Sequence, residues 1–171
     1  MTPAALRDRQ HWVFDMDGTL TLAVHDFPAI KRALDIPQEH DILAHLAQLP
    51  EDEAAAKHAW LLAHERELAL AAQPAPGARE LVQALSQRGC QLGILTRNAL
   101  PLAELTLEVI GLRGCFADAA ILGRDEAPPK PDPGGLLHLA AHWQVPSSRL
   151  VMVGDYRYDL ECARQAGACA V

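Results

Sequence analysis

Short apolar, β-prone runs alternate with helix-prone segments along most of the chain. The alternation is regular after residue 78, and Gly or Pro marks many of the joints. The predicted strands are 12–14, 91–95, 119–122 and 150–153, with 168–171 as the start of another. The predicted helices between them are 78–87, 100–110, 136–143 and 157–166. This order predicts an α/β fold with a doubly wound, Rossmann-like parallel sheet.

Residues 21–72 separate the first two strands and are predicted to be helical throughout, with helices at 27–34, 38–49 and 51–72. Prolines end the first two helices, and a Pro/Gly cluster ends the third. About fifty residues is far too long for a simple crossover between parallel strands. We therefore predict an inserted helical cap within a discontinuous core, the cap being 21–74 and the core 1–20 and 75–171.

The first strand ends in a polar stretch, Asp15-Met16-Asp17-Gly18. Asp15 and Asp17 are two residues apart, so in an extended chain their carboxylates leave the backbone on the same side. At about 4 Å two such charges repel by about 4 kcal/mol at an effective dielectric constant of ~20, so a neutralising partner is expected. An all-oxygen ligand set favours Mg²⁺. Gly18 allows a sharp turn where a side chain would obstruct an incoming ligand.

Two plainer interpretations of this stretch are available. It could simply end a strand and begin a loop. It could also belong to a calcium loop, but the EF-hand pattern requires further oxygen ligands after the glycine and a final Glu. Residues 19–24 are mostly apolar instead.

The other predicted strands also end in reactive groups. Thr96 follows the second strand, Asp155 follows the last long one, and Asp159 stands one helical turn further on. Lys130 lies in a loop whose prolines restrict the backbone on both sides. Because a parallel sheet gathers the carboxyl ends of its strands at one edge, we expect these groups to surround the first two acids.

Composition narrows the function classes. A chain of 171 residues suits one domain with a small insertion. A formal net charge of −7 and the lack of a basic run argue against a nucleic-acid surface. The four cysteines have no zinc spacing, so reduced thiols are expected. No signal-like or membrane-length apolar run occurs, so we expect a soluble, cytoplasmic protein that binds neither nucleic acid nor membrane.

Four short motifs, in order, resemble those of the haloacid-dehalogenase-like (HAD) hydrolase superfamily. They are Asp15–Leu20, Leu95-Thr96, Lys130–Pro133 and Gly154–Asp159. The resemblance spans residues 12–167, and the helical insert falls where the family's C1-type cap sits. The phosphoglycolate-phosphatase-like branch is the closest subgroup. The resemblance implies a Mg²⁺-dependent phosphatase that hydrolyses a small cytosolic phosphomonoester.

The resemblance also implies a metal site of Asp15, Asp17, Asp155 and Asp159. Asp15 would be the nucleophile that forms an aspartyl-phosphate. Asp17 would protonate the leaving alcohol and then activate water, while its backbone carbonyl joins the metal shell. Asp155 would bind Mg²⁺ directly. Asp159 would be an outer or water-mediated partner that orients Lys130.

The predicted substrate site comprises Gly18, Thr96, Arg97, Asn98 and Lys130. In the resemblance, Thr96 and Lys130 hold phosphoryl oxygens and counter their charge. Many relatives have Asn or Ser directly after the motif II Thr, but here Arg97 precedes Asn98. Arg97 either faces solvent or binds a second anionic group of the substrate, such as a carboxylate or another phosphate.

Other activities on the same core stay open. A dehalogenase is disfavoured, because those enzymes usually lack the second acid, Asp17. A phosphonoacetaldehyde-type phosphonate hydrolase would use Lys31 or Lys57 as a Schiff base. A phosphomutase of the β-phosphoglucomutase kind would release little phosphate. A non-catalytic phosphate- or metal-sensing module would not need both Asp15 and Asp17.

The insert carries polar residues in no readable pattern. His25 and Asp26 are close enough to the first motif to reach a pocket, whereas His58 and His64 are expected to be solvated. The resemblance implies a further strand and helix after Val171, and we expect a monomer or a homodimer.

Overall fold

A five-stranded parallel sheet forms the centre of the computed structural model, which describes residues 6–171. The strand order is β3-β2-β1-β4-β5. The strands are β1 His11–Phe14, β2 Gln91–Leu95, β3 Ile121–Leu122, β4 Leu150–Val153 and β5 Cys169–Ala170. This confirms the predicted α/β fold with a doubly wound sheet. Residues 1–5 of the predicted core lie outside the described residues.

The helices are α1 Phe27–Ala33, α2 Ile42–Leu46, α3 Glu51–Leu70, α4 Ala78–Gln87, α5 Leu100–Val109, α6 Gly134–His142 and α7 Arg157–Ala166. Side chains of α4 and α5 pack on one face of the sheet, and those of α6 and α7 pack on the other. Across residues 6–171, none of these helices combines the length and the apolar character that a bilayer-spanning segment needs.

The central strand β1 is buried on both faces, as expected for a strand in the middle of a parallel sheet. Trp12 and Phe14 pack with side chains of α4 and α5 on one face. Val13 points to the other face and packs with side chains of α6 and α7. This alternation follows from the period of two along a strand, and it divides the core into two layers.

The register of the sheet brings three strand ends to the same level. Phe14, the last residue of β1, stands opposite Ile94 of β2 and Val153 of β4. Asp15 N continues the ladder by donating to Val153 O at 2.9 Å, and Thr96 N donates to Leu122 O at 3.0 Å. The residues that follow these strands therefore lie along one edge of the sheet.

Residues 24–68 form a second compact unit, separate from the unit that contains the sheet. Its core consists of apolar side chains from α1, α2, α3 and the connection after α1, namely Ile30, Leu34, Ile36, Leu46 and Leu61. Asp26 and Asp41 cap α1 and α2 by accepting from the N–H groups of Ala29 and Ala44. Whether this unit is the inserted cap stays a prediction.

The helix bounds differ from the sequence prediction chiefly before residue 72. The helix predicted at 38–49 is only Ile42–Leu46, because the Asp41 side chain caps it and residues 37–40 form a turn. The prediction that residues 21–26 are helical is wrong. The backbone N–H of Thr21 donates to Met16 O, and that of Leu22 donates to Gln73 O, so the chain is tied to neighbouring segments instead.

Cys162 is the fully buried member of the four free thiols. Burial among apolar side chains raises the pKa of its thiol to about 11. Its Sγ also donates to the backbone oxygen of Asp132 at 3.2 Å. At pH 8 about one such thiol in a thousand would be ionised, and only the thiolate is a good nucleophile.

We therefore expect iodoacetamide at pH 8 to modify the native protein at Cys90, Cys115 and Cys169, which are partly exposed, and to leave Cys162 intact. Peptide mass spectrometry measures the modification at each site, and the same reaction in urea should label all four. Labelling of native Cys162 at the rate of the other three would contradict the burial described here.

Candidate functional site

A buried lysine joins two acids at the carboxyl edge of the sheet. Lys130 Nζ lies 2.6 Å from Asp15 Oδ1 and 2.7 Å from Asp159 Oδ1. The side chains of Lys130 and Asp159 are 3% and 2% exposed, and that of Asp15 is 13% exposed. The prolines that flank Lys130 restrict its loop, so the ammonium group is delivered to the acids from a constrained backbone.

Burial and charge act against each other on these groups. Burial raises the pKa of Asp15 to about 6, with a further upward contribution from Asp159, although the Lys130 ammonium favours the charged form. Burial disfavours the charged form of Lys130, yet the two carboxylates raise its pKa above the ordinary lysine value. Lys130 is therefore charged at neutral pH, and Asp15 is held near a cation.

A third carboxylate completes an acidic cluster. One oxygen from each of Asp15, Asp155 and Asp159 lies within 4.8 Å of the others. Thr19 Oγ1 donates to Asp155 Oδ1 at 3.1 Å and so helps to orient this exposed side chain. Three carboxylates with one ammonium leave uncompensated negative charge, and hard oxygen donors of this kind suit a divalent cation such as Mg²⁺. The residues present therefore fit the predicted metal.

Both oxygens of Asp159 already have protein partners. Oδ1 accepts from Lys130, and Oδ2 accepts from the backbone N–H of Tyr156 at 3.0 Å. Such a carboxylate is well placed to orient its neighbours. The more exposed Asp155 is better placed to bind a cation directly.

Two glycines leave the space that the acids occupy. A Cβ atom on Gly18 would lie 2.4 Å from Asp155 Oδ2, and one on Gly154 would lie 2.3 Å from Asp159 Cγ. Gly18 also has a φ angle of +83°, which disfavours a side chain. The sequence suggested that Gly18 makes room for a ligand. In the structure the Asp155 carboxylate occupies that space instead.

Asp17 stands apart from this carboxylate cluster. Its Oδ2 accepts from Asn98 Nδ2 at 2.6 Å. Asn98 N donates in turn to Thr96 Oγ1 at 3.2 Å, and Thr96 itself is 3% exposed. The turn that follows β2 is therefore brought to the predicted general acid through Asn98.

Arg97 packs against an aromatic ring. Its guanidinium carbon lies 5.1 Å from the centroid of Tyr158, and that of Arg157 lies 5.0 Å from the same ring. Cation–π contacts of this geometry are favourable. Half-buried Arg97 is therefore not a simple solvent-facing arginine.

The polar residues singled out in the insert have local contacts within residues 24–68. Asp26 caps α1, and the His25 ring stacks on Phe27 at 5.5 Å. The His64 ring stacks on Trp60 at 5.1 Å, and His58 is exposed. None of these contacts supplies a reactive geometry by itself.

Sequence reasoning gave no role to Thr19, to Gly154 or to the bond between Asn98 and Asp17. Thr19 follows Gly18 directly, and its hydroxyl was a readable signal beside the two acids. The bond between Asn98 and Asp17 spans 81 positions, and the packing of Gly154 against Asp159 depends on how the chain folds back at the start of α7.

Comparisons of the sequence and of the structure with known proteins both find hydrolases. A family model described as haloacid dehalogenase-like hydrolase matches residues 11–167. A haloacid dehalogenase-like hydrolase domain-containing protein of Arabidopsis thaliana is 34% identical, over 91% of this chain and 67% of its own. A phosphoglycolate phosphatase of Rhodospirillum rubrum is 32% identical, over 93% and 77%. A hydrolase structure from Pseudomonas syringae superposes with a TM-score of 0.74 at 25% identity, covering 94% and 82%.

Replacement of Gly18 tests the packing of the acidic cluster. We expect Gly18→Ala to displace Asp155 and to weaken Mg²⁺ binding by about 10- to 100-fold, as loss of a supporting contact at a metal site typically does. Isothermal titration calorimetry with Mg²⁺ measures this change.

Gly89→Ala is the matched control, because Gly89 has a φ angle of +75° and nothing within 4 Å of an added Cβ atom. Both variants should lose about 1 kcal/mol of unfolding free energy through backbone strain. Equal Mg²⁺ affinities for the two variants would contradict the steric role of Gly18.

Proposed function

The chain belongs to the haloacid dehalogenase-like hydrolases, and from that premise we propose that it is a Mg²⁺-dependent phosphatase that hydrolyses a small phosphomonoester of the cytoplasm. The observation that carries the proposal is the meeting of Asp15, Asp155 and Asp159 at one edge of the sheet, where Asp15 and Asp159 also pair with Lys130. A merely structural role would not require three carboxylates to share so small a volume, since their mutual repulsion is costly.

Asp15 is the proposed nucleophile. Its carboxylate attacks the phosphorus atom of the ester, a phosphorus–oxygen bond forms on Asp15, and the bond to the leaving alcohol oxygen breaks. The contact with Lys130 fixes one oxygen of Asp15 and supports its charged form against the effect of burial. Lys130 and the hydroxyl of Thr96 would also stabilise the charge of the transferring phosphoryl group.

Asp17 is the proposed general acid and base. It gives a proton to the leaving alcohol oxygen in the first step. In the second step it takes a proton from water, and the resulting hydroxide attacks phosphorus, releases phosphate and restores Asp15. The position of Asp17 outside the carboxylate cluster suits this role, because a proton carrier should not be occupied as a metal ligand.

Asp155 and Asp15, with the Asp17 backbone carbonyl, would hold Mg²⁺, and Asp159 would orient Lys130. When bound, the ion would supply positive charge that lets an anionic nucleophile meet an anionic phosphate. The clustered carboxylate oxygens support this assignment.

Phosphoglycolate, the compound in the name of the Rhodospirillum rubrum relative, is a phosphate ester that also carries a carboxylate. Small phosphorylated acids of this kind are the first compounds to assay. Arg97 is the proposed contact for such a second anionic group, because its guanidinium lies on the same sheet edge.

The contacts of the two candidate lysines argue against a phosphonate hydrolase. Lys31 Nζ donates to the backbone oxygen of Gln38 at 2.7 Å, and Lys57 Nζ donates to that of Leu34 at 2.6 Å. Lys57 also pairs with Glu53 at 3.2 Å. A Schiff base requires an accessible amine, whereas the amines of Lys31 and Lys57 are engaged in these contacts.

Hydrolysis of p-nitrophenyl phosphate tests the proposed reaction. We expect turnover with Mg²⁺, its loss with EDTA, and a fall of kcat by about 10³-fold or more in Asp15→Asn, because the nucleophile is removed. Asp35→Asn, in the separate unit 24–68, is the control for general effects of losing a carboxylate.

Retention of parental activity by Asp15→Asn would exclude the proposed mechanism. Phosphate release that depends on an added sugar bisphosphate would instead indicate a mutase. Mg²⁺ binding without turnover of any phosphomonoester in a metabolite panel would indicate a sensing module.

Arg97→Ala tests recognition of a second anion. We expect KM for phosphoglycolate to rise about tenfold with little change in kcat, since a charged hydrogen bond typically contributes about 1.5 kcal/mol or more. KM for p-nitrophenyl phosphate, which has no second anion, should stay the same. An unchanged KM for every good substrate of the parent would refute this role.

A further inference from the structure

The amide of Asn98 contacts Asp17, the second acid of the first motif. Asn98 Nδ2 donates to Asp17 Oδ2 at 2.6 Å, across 81 positions of sequence. This bond connects the end of β2 with the loop after β1. We propose that Asn98 is a positioning residue that holds Asp17 in place for proton transfer, an inference that rests on the proposed function above.

The backbone of Asn98 is fixed on both sides, so its amide is held in a defined direction. Its N–H donates to Thr96 Oγ1 at 3.2 Å, and its carbonyl oxygen accepts from the N–H of Arg124 at 2.9 Å. A Cβ atom on Gly123 would lie 2.7 Å from that carbonyl oxygen, which shows how closely the two turns pack. A side chain on such a backbone loses little entropy when it binds Asp17.

A neutral amide suits an acid that must both give and take a proton. The NH₂ group donates to the ionised carboxylate, and after rotation of the amide its oxygen can accept from the protonated form. Asn98 can therefore hold the Asp17 side chain both before and after the proton moves.

The two acids of the first motif are therefore contacted from different parts of the fold. Asp15 contacts the Lys130 ammonium group in the proline-rich loop. Asp17 contacts the Asn98 amide just after β2. A change at Asn98 should therefore act on Asp17 before it acts on Asp15.

A comparison of two leaving groups tests the inference. p-Nitrophenolate leaves readily without a proton, whereas phenolate depends more on a general acid. In Asn98→Ala we expect kcat/KM for phenyl phosphate to fall at least about tenfold more than kcat/KM for p-nitrophenyl phosphate. Asp17 must also activate water in the second step, so hydrolysis of the aspartyl-phosphate should become slow in Asn98→Ala. Rapid mixing of this variant with p-nitrophenyl phosphate should therefore reveal a burst of p-nitrophenol of up to one equivalent per chain.

Asp17→Asn should show the same leaving-group dependence with larger losses, while Asp15→Asn should lose both substrates. Thermal unfolding of each variant checks that it is folded, and Asn98→Leu, which keeps nearly the same shape but has no donor, replaces Asn98→Ala if the latter does not fold. Equal losses on the two substrates without a burst would overturn the role of Asn98. Failure of the parent protein to hydrolyse either substrate with Mg²⁺ would instead overturn the proposed function itself.

Discussion

The site depends on one buried cation placed between two buried acids. Lys130, 3% exposed, could not remain charged there without Asp15 and Asp159, because an unpaired buried charge costs several kcal/mol. Removal of the lysine would likewise leave two buried carboxylates facing each other. The lysine therefore fixes the separation of the ends of β1 and α7, and the acids in turn hold a proline-rich loop against the sheet.

Packing around the carboxylates explains why two positions beside the site are glycines. Gly18 and Gly154 have no functional groups, yet the carboxylates of Asp155 and Asp159 occupy the volumes where their side chains would be. Two acids of the last motif thus fit against the backbone that follows β1 and β4. The site concentrates negative charge, and its repulsion is a cost that the rest of the fold must offset.

The core and the grouping of the acids could be predicted from sequence, but the pairing of side chains could not. Bounds such as Ala78–Gln87 and Leu150–Val153 match the prediction, since apolar patterning and flanking turns agree there. The sequence overestimated the length of the helix Ile42–Leu46, because Asp41 acts as its cap and the helix does not extend before it. Parallel strand ends predict a shared edge, whereas the bond from Thr19 to Asp155 spans 136 positions and depends on rotamers that no local pattern encodes.

Charge alone argues that this edge of the sheet requires a cation to act on phosphate. Asp15, Asp155 and Asp159 with Lys130 leave two net negative charges, and a phosphate monoester brings nearly two more. The whole chain is also acidic, with a formal net charge of −7, so no general field would attract the substrate. At about 4 Å each pair of like charges costs about 4 kcal/mol at an effective dielectric constant of ~20, which no single hydrogen bond offsets. A divalent ion among the carboxylates would remove most of this repulsion, and the acids would then favour phosphate binding through that ion.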